Sequence, residues 1–499
     1  MKYNSIDYVP KIEPESLEIL SLIYTPGVGH ACMKIKENDG LSYIYTNREN
    51  SVAVLSFDYE KSLKRAIFLK DTLNIDAYAF EADKNALKLV VENIYPNFCG
   101  VDLTLISEDV ENIDFDVEIP VLKKSGVDIY EFFHPFSKNI FMFDIKQLQG
   151  DFKEQSLSLR EKAGGVIESA LSEEMPIHKP VAIISDGSAV LGFGNIGAEA
   201  GLPVMEGKAV IFKALGGVNA VSLCLKTQKT EEIIQITQAL KNSFSGVNLE
   251  DISAPRCFDI ENELIKTLDI PVFHDDQHGT AIVVLAALLN ALCVAKKTIN
   301  SVKIVISGAG AAAQAVSKLL LAAEAQNIIH TDRKGIVYKN RKENDTYLEK
   351  LAEITNKGSL KGSLEDALEN ADVFIGLSAA GVLKPEFIKK MNKNPIIFAL
   401  ANPIPEIMPD MAKEAGAFII ATGRSDFDNQ INNSLAFPGL FRGILDNKIK
   451  KITEKIKLEC AIAIASLIKE KDLSQTNILP KALDPRVVGV IVNRVSEGR

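Results

Sequence analysis

The sequence predicts an α/β protein built from parallel sheets with helices packed around them. Short β-branched runs alternate with stretches of helical periodicity along most of the 499 residues, an alternation typical of parallel sheets. The clearest case is the run 302–307, which is followed by a glycine turn and an alanine-rich stretch at 311–325. The composition, 46% hydrophobic and 24% charged, suits a folded chain with several cores. We therefore expect about two to four domains.

The segment 278–433 is predicted to form one doubly wound Rossmann-type nucleotide-binding domain. After the first run come strand candidates separated by helical or turn segments, the order that such a domain requires. They are 327–331, 373–376, 396–400 and 418–421. In the segment 59–175, which is richer in Phe, Tyr and charged residues, βα-like stretches stand at 77–80, 84–91 and 103–106.

A glycine-rich turn, Gly308-Ala309-Gly310-Ala311-Ala312-Ala313, lies between the first strand and its helix. Its glycines let the backbone approach a pyrophosphate at the helix N-terminus. Asp332 follows the next strand, where a carboxylate binds the ribose of a dinucleotide. We predict that Gly308, Gly310, Ala311, Ala313 and Asp332 bind such a cofactor, and a tight turn without a ligand is the weaker alternative.

The residues around Asp332 leave the choice between NAD and NADP open. The carboxylate favours the free 2′-hydroxyl of NAD and repels the 2′-phosphate of NADP. Arg333, the next residue, is a candidate partner for that phosphate, and Lys334 adds a second cation. We favour NAD.

Two acidic pairs are candidate ligands of a divalent cation. Asp275-Asp276 closes a strand-like run, and Glu250-Asp251 follows a helix-like one. Mg²⁺ and Mn²⁺ prefer carboxylate oxygen and water, so four acids that converge would suit either ion. The alternative is that the four residues are solvated loop acids, as most acidic pairs are.

Charge, cysteines and apolar runs exclude several classes of protein. The net charge of −10, without a block of basic residues, disfavours nucleic-acid binding. Six cysteines stand far apart without a Cys-x-x-Cys pair, which favours a reducing cytoplasm. No signal or transit peptide is recognisable at the N-terminus. The apolar run 281–295 is short for a membrane span and contains Asn290, so we expect a buried helix and no membrane association.

Single residues elsewhere suit a substrate cleft. Tyr24 precedes a Pro-Gly turn that would point its phenol in a fixed direction, although a structural tyrosine explains it equally well. Lys208 follows Gly207 and is expected at the start of a strand or helix, where burial would make it a usable base; a solvated lysine is the alternative. Gly192-Phe193-Gly194-Asn195-Ile196-Gly197 is interpreted as a turn near the substrate.

Asparagines form a third set of candidates. Asn402 lies between a strand and Pro403, and Asn432 and Asn433 stand next to each other. Amides at strand ends can bind a nicotinamide or a substrate carboxylate, but Asn before Pro is also ordinary turn chemistry. The residues alone do not decide between these interpretations.

Taken in chain order, the motifs closely resemble the malic enzymes of the short, bacterial-type branch. The resemblance covers about residues 16–57 and 181–490. It is carried by Tyr24-Thr25-Pro26-Gly27, Val190-Leu191-Gly192, Gly194-Asn195-Ile196-Gly197, Val204-Met205-Glu206-Gly207-Lys208, Asn248-Leu249-Glu250-Asp251, His274-Asp275-Asp276-Gln277-His278-Gly279-Thr280, the Gly308 turn, Ala401-Asn402-Pro403 and Thr422-Gly423-Arg424-Ser425-Asp426.

The resemblance implies oxidative decarboxylation of L-malate to pyruvate and CO₂ with reduction of NAD or NADP. It implies that Lys208 is the base at the C2 hydroxyl, with the catalytic Asp275 beside it, and that Tyr24 protonates C3. Carried over in the same way, the metal ligands are Glu250, Asp251 and Asp276, and Asn402 with one or both of Asn432 and Asn433 contacts the substrate or the cofactor. Arg333 is added to the cofactor contacts from its position next to Asp332. A homodimer or a higher homo-oligomer is expected from the family.

The chain departs from the family between Tyr24 and Lys208. Glu49 stands where relatives have glycine, and more than a hundred residues intervene before residue 185. We therefore predict a discontinuous α/β catalytic domain from 1–58 and 176–277, with an inserted α/β domain of unknown role at 59–175 that covers the cleft or builds a subunit interface. The segment 434–499 is expected to pack on the catalytic domain. The runs 51–56 and 180–185 look alike, so either could provide the family's strand.

Three other functions explain part of the pattern. A malolactic-type enzyme would use the same site but release lactate, and the sequence does not separate it from a malic enzyme. A non-catalytic relative that senses a metabolite is disfavoured by the intact Lys208, Tyr24, Asp275 and Asp276. A generic amino-acid dehydrogenase would explain the glycine turn but would leave the acidic pairs without a task.

Overall fold

The computed structural model describes residues 5–24, 27–106, 166–172, 179–190 and 192–497, with short stretches between 110 and 157. The chain divides into two compact units. The first comprises Met1–Phe273 with Ile449–Lys451, and the second comprises His274–Lys448 with Ile452–Arg499. The division falls a few residues before the predicted boundary at 277/278.

The first unit alternates strands and helices, as the sequence predicts. Its strands are β1 (Ser5–Pro10), β2 (Ser51–Ser56), β3 (Asp76–Glu81), β4 (Gly100–Asp102), β5 (Val121–Leu122), β6 (Ile167–Ser172), β7 (Val181–Ser185), β8 (Ala220–Cys224), β9 (Gly246–Leu249) and β10 (Val272–His274). Its helices are α1 (Leu17–Ile23), α2 (Gly29–Glu37), α3 (Ser42–Tyr45), α4 (Tyr59–Leu73), α5 (Leu87–Ile94), α6 (Gly197–Gly216), α7 (Thr230–Leu240) and α8 (Arg256–Thr267).

Two separate sheets explain why the runs 51–56 and 180–185 look alike. Both form fully buried strands, and each pairs with parallel neighbours on both sides. Such strands are apolar along their whole length. β7 belongs to a sheet in the order β10-β9-β7-β8, whereas β2 belongs to a second sheet in the order β3-β2-β4-β5. The strand at 181–185 is therefore the one in the sheet with β9, which carries the first acidic pair.

The second sheet, β3-β2-β4-β5, lies mainly in the predicted insert, and its described pairs are parallel. The expectation for 103–106 is wrong, because the strand ends at Asp102, whose carboxylate accepts a 2.8 Å bond from Arg65. The buried Asn97 joins this part to β8: its amide donates to the carbonyl of Cys224 over 3.1 Å and accepts from the Cys224 N–H over 2.8 Å. The described part of the insert therefore packs on the β8 side of the first unit.

The second unit begins with a long helix and continues with a six-stranded sheet. Its helices are α9 (Asp275–Ala295), α10 (Ala311–Ala322), α11 (Thr346–Ile354), α12 (Leu364–Leu368), α13 (Pro385–Ile388), α14 (Pro409–Glu414), α15 (Phe437–Asp446), α16 (Glu454–Ser466) and α17 (Arg486–Glu497). Its strands are β11 (Lys303–Ser307), β12 (Asn327–Asp332), β13 (Gly335–Ile336), β14 (Val373–Gly376), β15 (Ile396–Ala399) and β16 (Ile419–Thr422).

The strand order β13-β12-β11-β14-β15-β16 confirms the predicted doubly wound fold. Five strands are parallel, and the short β13 is antiparallel to β12. The order reverses between β11 and β14, and in such sheets the crevice at this switch point takes the ligand. The glycine turn after β11 therefore lies where a nucleotide is expected.

Helix α9 is the buried helix predicted at 281–295, and it extends back to Asp275. It is the one described helix with the length and apolar character of a membrane span, and 72% of its apolar window is buried inside the protein. It packs against α10 and α16. Helix α16 runs from Glu454 to Ser466. Of the segment 434–499, Ile449–Lys451 belongs to the first unit and the other residues belong to the second, and its packing on the catalytic domain stays a prediction.

Candidate active site

Lys208 lies in the middle of α6, which corrects the expectation that it starts a strand or a helix. Gly207, which suggested a turn, is helical and has a packing role. A Cβ atom on Gly207 would lie 2.2 Å from the carbonyl oxygen of Ile23. Glycine is therefore required for α6 to approach the end of α1, and this approach brings Lys208 close to Tyr24.

The Lys208 side chain is fully buried and forms an ion pair with Glu250. Its Nζ atom lies 5.9 Å from the centroid of the Tyr24 ring, which is also buried. The second carboxylate oxygen of Glu250 accepts a 3.0 Å hydrogen bond from the Asn248 amide. An amine and a phenol, the two groups that the sequence suggests for proton transfer, thus share one enclosed region of the first unit. Thr25 and Pro26 of the tyrosine motif lie outside the described residues.

The acidic pair Glu250-Asp251 follows strand β9, so the expectation that it follows a helix-like run is wrong. Both side chains are buried, with 2% and 4% of their residue surface exposed. Asp251 has φ +53°, a left-handed conformation that aspartate and asparagine tolerate better than other non-glycine residues. Its carbonyl accepts a 2.9 Å bond from the N–H of Ala189, so the backbone turn is fixed on both sides.

The segment around Gly192 forms the turn that the sequence predicts. Gly192 and Gly194 have φ +80° and +69°, values that favour glycine, and Val190 exchanges two 2.9 Å backbone bonds with Gly194. Leu191 lies outside the described residues. That this turn lies near the substrate stays a prediction.

Asp275 and Asp276 occupy the first turn of α9 in the second unit. Asp275 is fully buried, and its Oδ2 atom accepts a 2.5 Å hydrogen bond from the Asn433 amide. A Cβ atom on Gly279 would lie 1.9 Å from the Oδ1 atom of Asp275. Asn433, predicted to contact substrate, therefore orients Asp275 in this structure, and its substrate contact stays a prediction.

Asp276 is oriented by its own helix turn. The His274 ring is buried and contacts Gln277 through Nδ1 over 2.6 Å and Asp276 through Nε2 over 3.2 Å. Since the Gln277 amide donates to Nδ1, the Nε2–H of a neutral ring points at the Asp276 carboxylate. About 35% of the Asp276 side chain is exposed, so this carboxylate remains accessible to a ligand.

The Gly308 turn has the geometry of a nucleotide-binding turn. Gly308 has φ +125°, and a Cβ atom there would lie 2.5 Å from the carbonyl oxygen of Leu377. Gly310 precedes α10, and nothing lies within 4 Å of a Cβ atom built on it. Space at Gly310 and a free helix N-terminus, which begins with Ala311 and includes Ala313, suit a pyrophosphate.

His330, on β12, forms a hydrogen bond with the backbone of Gly308. It is fully buried, and its Nδ1–H donates to the Gly308 carbonyl over 2.9 Å. Nε2 then carries no proton and accepts from the Ser317 hydroxyl over 2.5 Å. Burial lowers the pKa of His330 to about 4, although the Gly308 bond acts in the opposite direction. The ring is therefore neutral at pH 7 and fixed in one tautomer.

We expect His330→Asn to remove part of the acid sensitivity of the protein. The pKa of an unfolded histidine is about 6.5. As the pH falls from about 6.5 to about 4, the unfolded chain binds a proton that native His330 does not bind, so stability decreases. This amounts to about 2 kcal/mol between pH 7 and pH 5. Thermal midpoints at the two pH values should differ less in His330→Asn than in wild type. Equal differences in the two proteins would contradict the assignment.

Asp332 lies at the end of β12, as predicted, but it has a partner that the sequence did not reveal. Both of its oxygens bind the guanidinium of Arg341. Burial raises the pKa of Asp332, but the hydrogen bonds from Arg341 and from the Lys334 N–H outweigh it and leave the pKa below its ordinary value. Arg333, the predicted phosphate partner, is exposed.

Asn402 follows β15 and packs against Gly423, where a Cβ atom would lie 2.7 Å from its Nδ2 atom. The nearby Glu406 is fully buried and accepts 3.0 Å bonds from the N–H groups of Ser378 and Ala401. It thereby ties together the loops after β14 and β15. Asn432 caps a short turn, since its side chain accepts from the Ser434 N–H over 2.9 Å. The predicted substrate and cofactor contacts of Asn402 and Asn432 stay predictions.

Sequence reasoning missed His330, Arg341 and Glu406, which hold the cofactor side of the second unit. Of the three, only His330 has a signal in the sequence, because it stands inside a β-branched strand. That position suggests burial but does not indicate which residue it contacts. Arg341 and Glu406 lie in loops, where no periodicity marks them. Their roles depend on contacts made by the fold.

Two family descriptions match the chain. "Malic enzyme, N-terminal domain" matches residues 144–231, and "Malic enzyme, NAD binding domain" matches residues 277–495. The second match spans α9 and the whole doubly wound sheet. The two matches lie in the two units described above.

Curated proteins that are similar to this chain are also named as malic enzymes. An NAD-dependent malic enzyme of Geobacillus stearothermophilus is 54% identical over 317 residues, 64% of this chain and 66% of the relative. A bifunctional malic/malolactic enzyme of Bacillus subtilis is 51% identical over 319 residues, 64% of this chain and 78% of the relative. An NADP-dependent malic enzyme of Escherichia coli is 42% identical over 401 residues, 75% of this chain and 52% of the relative. The chain thus spans between about half and about three quarters of these relatives.

A solved structure matches nearly the whole chain. The crystal structure of a malic enzyme from Pyrococcus horikoshii has a TM-score of 0.60 and 34% sequence identity, and the match covers 98% of this chain and 85% of that one. The similarity therefore extends over both units.

Proposed function

The chain belongs to the malic enzyme family and is an enzyme of the malate-decarboxylating class; on this premise we propose that it converts L-malate to pyruvate and CO₂ with reduction of NAD or NADP. We further propose the residue roles given below. The observation that carries these roles is the buried Lys208, which lies against the Tyr24 ring in the first unit.

Lys208 and Tyr24 supply the two proton transfers that the reaction requires. In its neutral form, Lys208 accepts the proton of the C2 hydroxyl; a nicotinamide held by the second unit would serve as the acceptor of the C2 hydride. The C3–C4 bond then breaks, CO₂ leaves, and the electron pair remains as an enolate. Tyr24 donates a proton to C3 and gives pyruvate. Because one group must take a proton and another must return one, two different side chains are expected. We propose that Asp275, held by Asn433, assists at the lysine.

The acidic residues suit a divalent cation. Glu250 and Asp251 follow β9, Asp276 follows β10, and β9 and β10 are neighbours in one sheet. Three carboxylates from adjacent strand ends are the oxygen donors that Mg²⁺ and Mn²⁺ prefer. When bound, the cation would act as a Lewis acid for the C2 oxygen and the enolate charge. The Asp276 carboxylate already has its orientation from His274.

We propose that NAD is the preferred cofactor. Asp332 supports this choice, because its carboxylate lies at the end of β12, beside the Gly308 turn, and suits a ribose hydroxyl. Asn402 is proposed to contact the nicotinamide or the substrate. The relatives include both NAD- and NADP-dependent enzymes, which supports a nicotinamide dinucleotide as the cofactor class.

A cytoplasmic homo-oligomer is proposed as the working form. All six cysteines lie among the described residues and none forms a disulfide, which suits a reducing compartment. The oligomer rests on family membership alone. Sedimentation velocity with and without cofactor would measure it.

Initial rates with malate, measured against NAD and against NADP, test the proposed function. We expect NAD(P)H absorbance and equimolar pyruvate with Mn²⁺ present, a higher kcat/KM with NAD, and loss of the rate in EDTA. Product analysis distinguishes the rival reaction, because a malolactic-type enzyme would yield lactate and no net NADH. Absence of both products with every cofactor and metal combination would overturn the proposal.

A further inference from the structure

An arginine that lies nine residues beyond Asp332 occupies the carboxylate predicted to bind ribose. The Nη1 atom of Arg341 donates to Oδ1 of Asp332 over 2.9 Å, and Nη2 donates to Oδ2. The Lys334 N–H donates to the same Oδ1 over 2.8 Å. Only 3% of the Arg341 side chain is exposed, against 23% for Asp332. The pair is thus a two-pronged contact with the arginine on the inside and the carboxylate nearer to solvent.

The guanidinium is held by its own loop as well as by Asp332. Nε donates to Oδ1 of Asn344 over 2.9 Å, and the Asn344 amide donates to the Tyr338 carbonyl over 3.0 Å and to Glu349 over 2.7 Å. Nη1 also lies 3.4 Å from the Ile336 carbonyl. Because these contacts do not involve Asp332, the guanidinium keeps its place when the carboxylate is removed.

This pair lies beside the nucleotide turn. Thr331, the residue before Asp332, accepts a 2.8 Å bond from the Gly308 N–H. A ribose whose pyrophosphate lies at the Gly308 turn would reach the end of β12, where Asp332 lies. Arg333 is on the same strand end but is exposed. Two arginines are therefore candidates for any contact with a 2′-phosphate, and only Arg341 is fixed in position.

We propose that Arg341 and Asp332 form the pair that discriminates NAD from NADP, with Arg341 as a latent 2′-phosphate ligand that Asp332 occupies. With the carboxylate present, the guanidinium holds Asp332 in position to accept a hydrogen bond from the 2′-hydroxyl. The Nη1 and Nη2 donors of Arg341 are then already bound to Asp332. A 2′-phosphate would meet the carboxylate and gain little from the arginine. Without the carboxylate, the guanidinium offers a charged, bidentate site for the phosphate. This inference rests on the proposed function only in requiring that the second unit binds a nicotinamide dinucleotide.

The test measures direct binding of NADH and of NADPH, with the fluorescence of the nucleotide as the signal and without malate or metal. Asp332→Ser should weaken NADH binding and strengthen NADPH binding, each by about tenfold. Adding Arg341→Ala should abolish the gain for NADPH, whereas adding Arg333→Ala should retain it. The two double variants are matched, since each removes one arginine from the same strand end. If Asp332→Ser does not fold, Asp332→Asn takes its place.

Three outcomes with the Asp332 variants would overturn the inference: no gain for NADPH in the single variant, a gain that survives Arg341→Ala, or a gain that depends on Arg333. Thermal midpoints of the double variants show whether a loss of binding reflects unfolding. If it does, NADH and NADPH binding by the Arg341→Gln single variant provides a second test. That variant should weaken NADH binding more than NADPH binding, because Asp332 loses its support; an equal effect on both would also overturn the inference. Failure to oxidise malate with intact nucleotide binding would contradict the proposed function and leave this inference standing.

Discussion

Replacing Lys208 with alanine should lower malate turnover by about three orders of magnitude, within the range that general-base catalysis contributes. Lys208 is a fully buried amine beside Tyr24, and alanine offers no group that can accept the proton. Nucleotide binding should persist, because the Gly308 turn and Asp332 belong to the second unit. Steady-state rates with malate, together with NADH titration of the same variant, measure the two effects separately.

Lys213 provides the control for this substitution. It lies on the same helix, α6, and its Nζ atom binds Asp7 over 2.6 Å and Asn219 over 3.0 Å. Lys213→Ala therefore removes a lysine and its two hydrogen bonds from α6 but leaves Tyr24 and Glu250 unchanged. The turnover of this variant should stay near that of wild type. The assignment of Lys208 fails if Lys208→Ala folds, binds NADH and retains more than about a tenth of the wild-type rate, since that loss is below the range of a general base.

The position of Lys208 shows where local sequence signals mislead. Gly207 is a helix-breaking residue, so the sequence suggested an element boundary beside the lysine. In the structure Gly207 lies inside α6, as does Pro203. Gly207 is there because the helix touches the Ile23 carbonyl, a contact between residues far apart in sequence. Propensity predicted the boundary, and tertiary packing overrode it.

The nucleotide-binding unit was predicted well because its signals are local. Each strand is a short apolar run bounded by turn residues, and the Gly308 turn connects one strand directly to the helix after it. Strand 373–376 was predicted to the residue, 302–307, 327–331 and 396–400 differ from the structure by one residue at one end, and 418–421 is shifted by one residue at both ends. Parallel order follows from these repeats.

Interactions between distant loops could not be predicted in the same way. Arg341 binds Asp332 only because β13 folds back antiparallel to β12 and returns the following loop to the end of that strand. Glu406 joins two loops that are adjacent only in the folded sheet. The spacing of Asp332 after Gly308 predicts its function, but Arg341, the residue that modifies this function, lies in a loop without periodicity.

Replacing Asp251 with asparagine should weaken Mn²⁺ binding by at least about tenfold and lower turnover by about a hundredfold or more, because a Lewis acid contributes several kcal/mol to this kind of chemistry. The substitution removes one charge and keeps the shape. It also keeps the backbone, since asparagine tolerates the left-handed conformation at φ +53° that most residues would not. Any loss of function then reflects the carboxylate and not a misfolded turn.

Asp259→Asn is the matched control. This acid lies on α8, a few residues after Asp251, but it is exposed and belongs to the first turn of a helix. Its neutralisation changes the net charge of the same region by the same amount, so it reproduces any long-range effect on the cation. Mn²⁺ titration by electron paramagnetic resonance should show wild-type affinity for Asp259→Asn and weakened affinity for Asp251→Asn. If the two variants bind Mn²⁺ equally well, the cation is held elsewhere, and Glu250 and Asp276 lose their assignment together with Asp251.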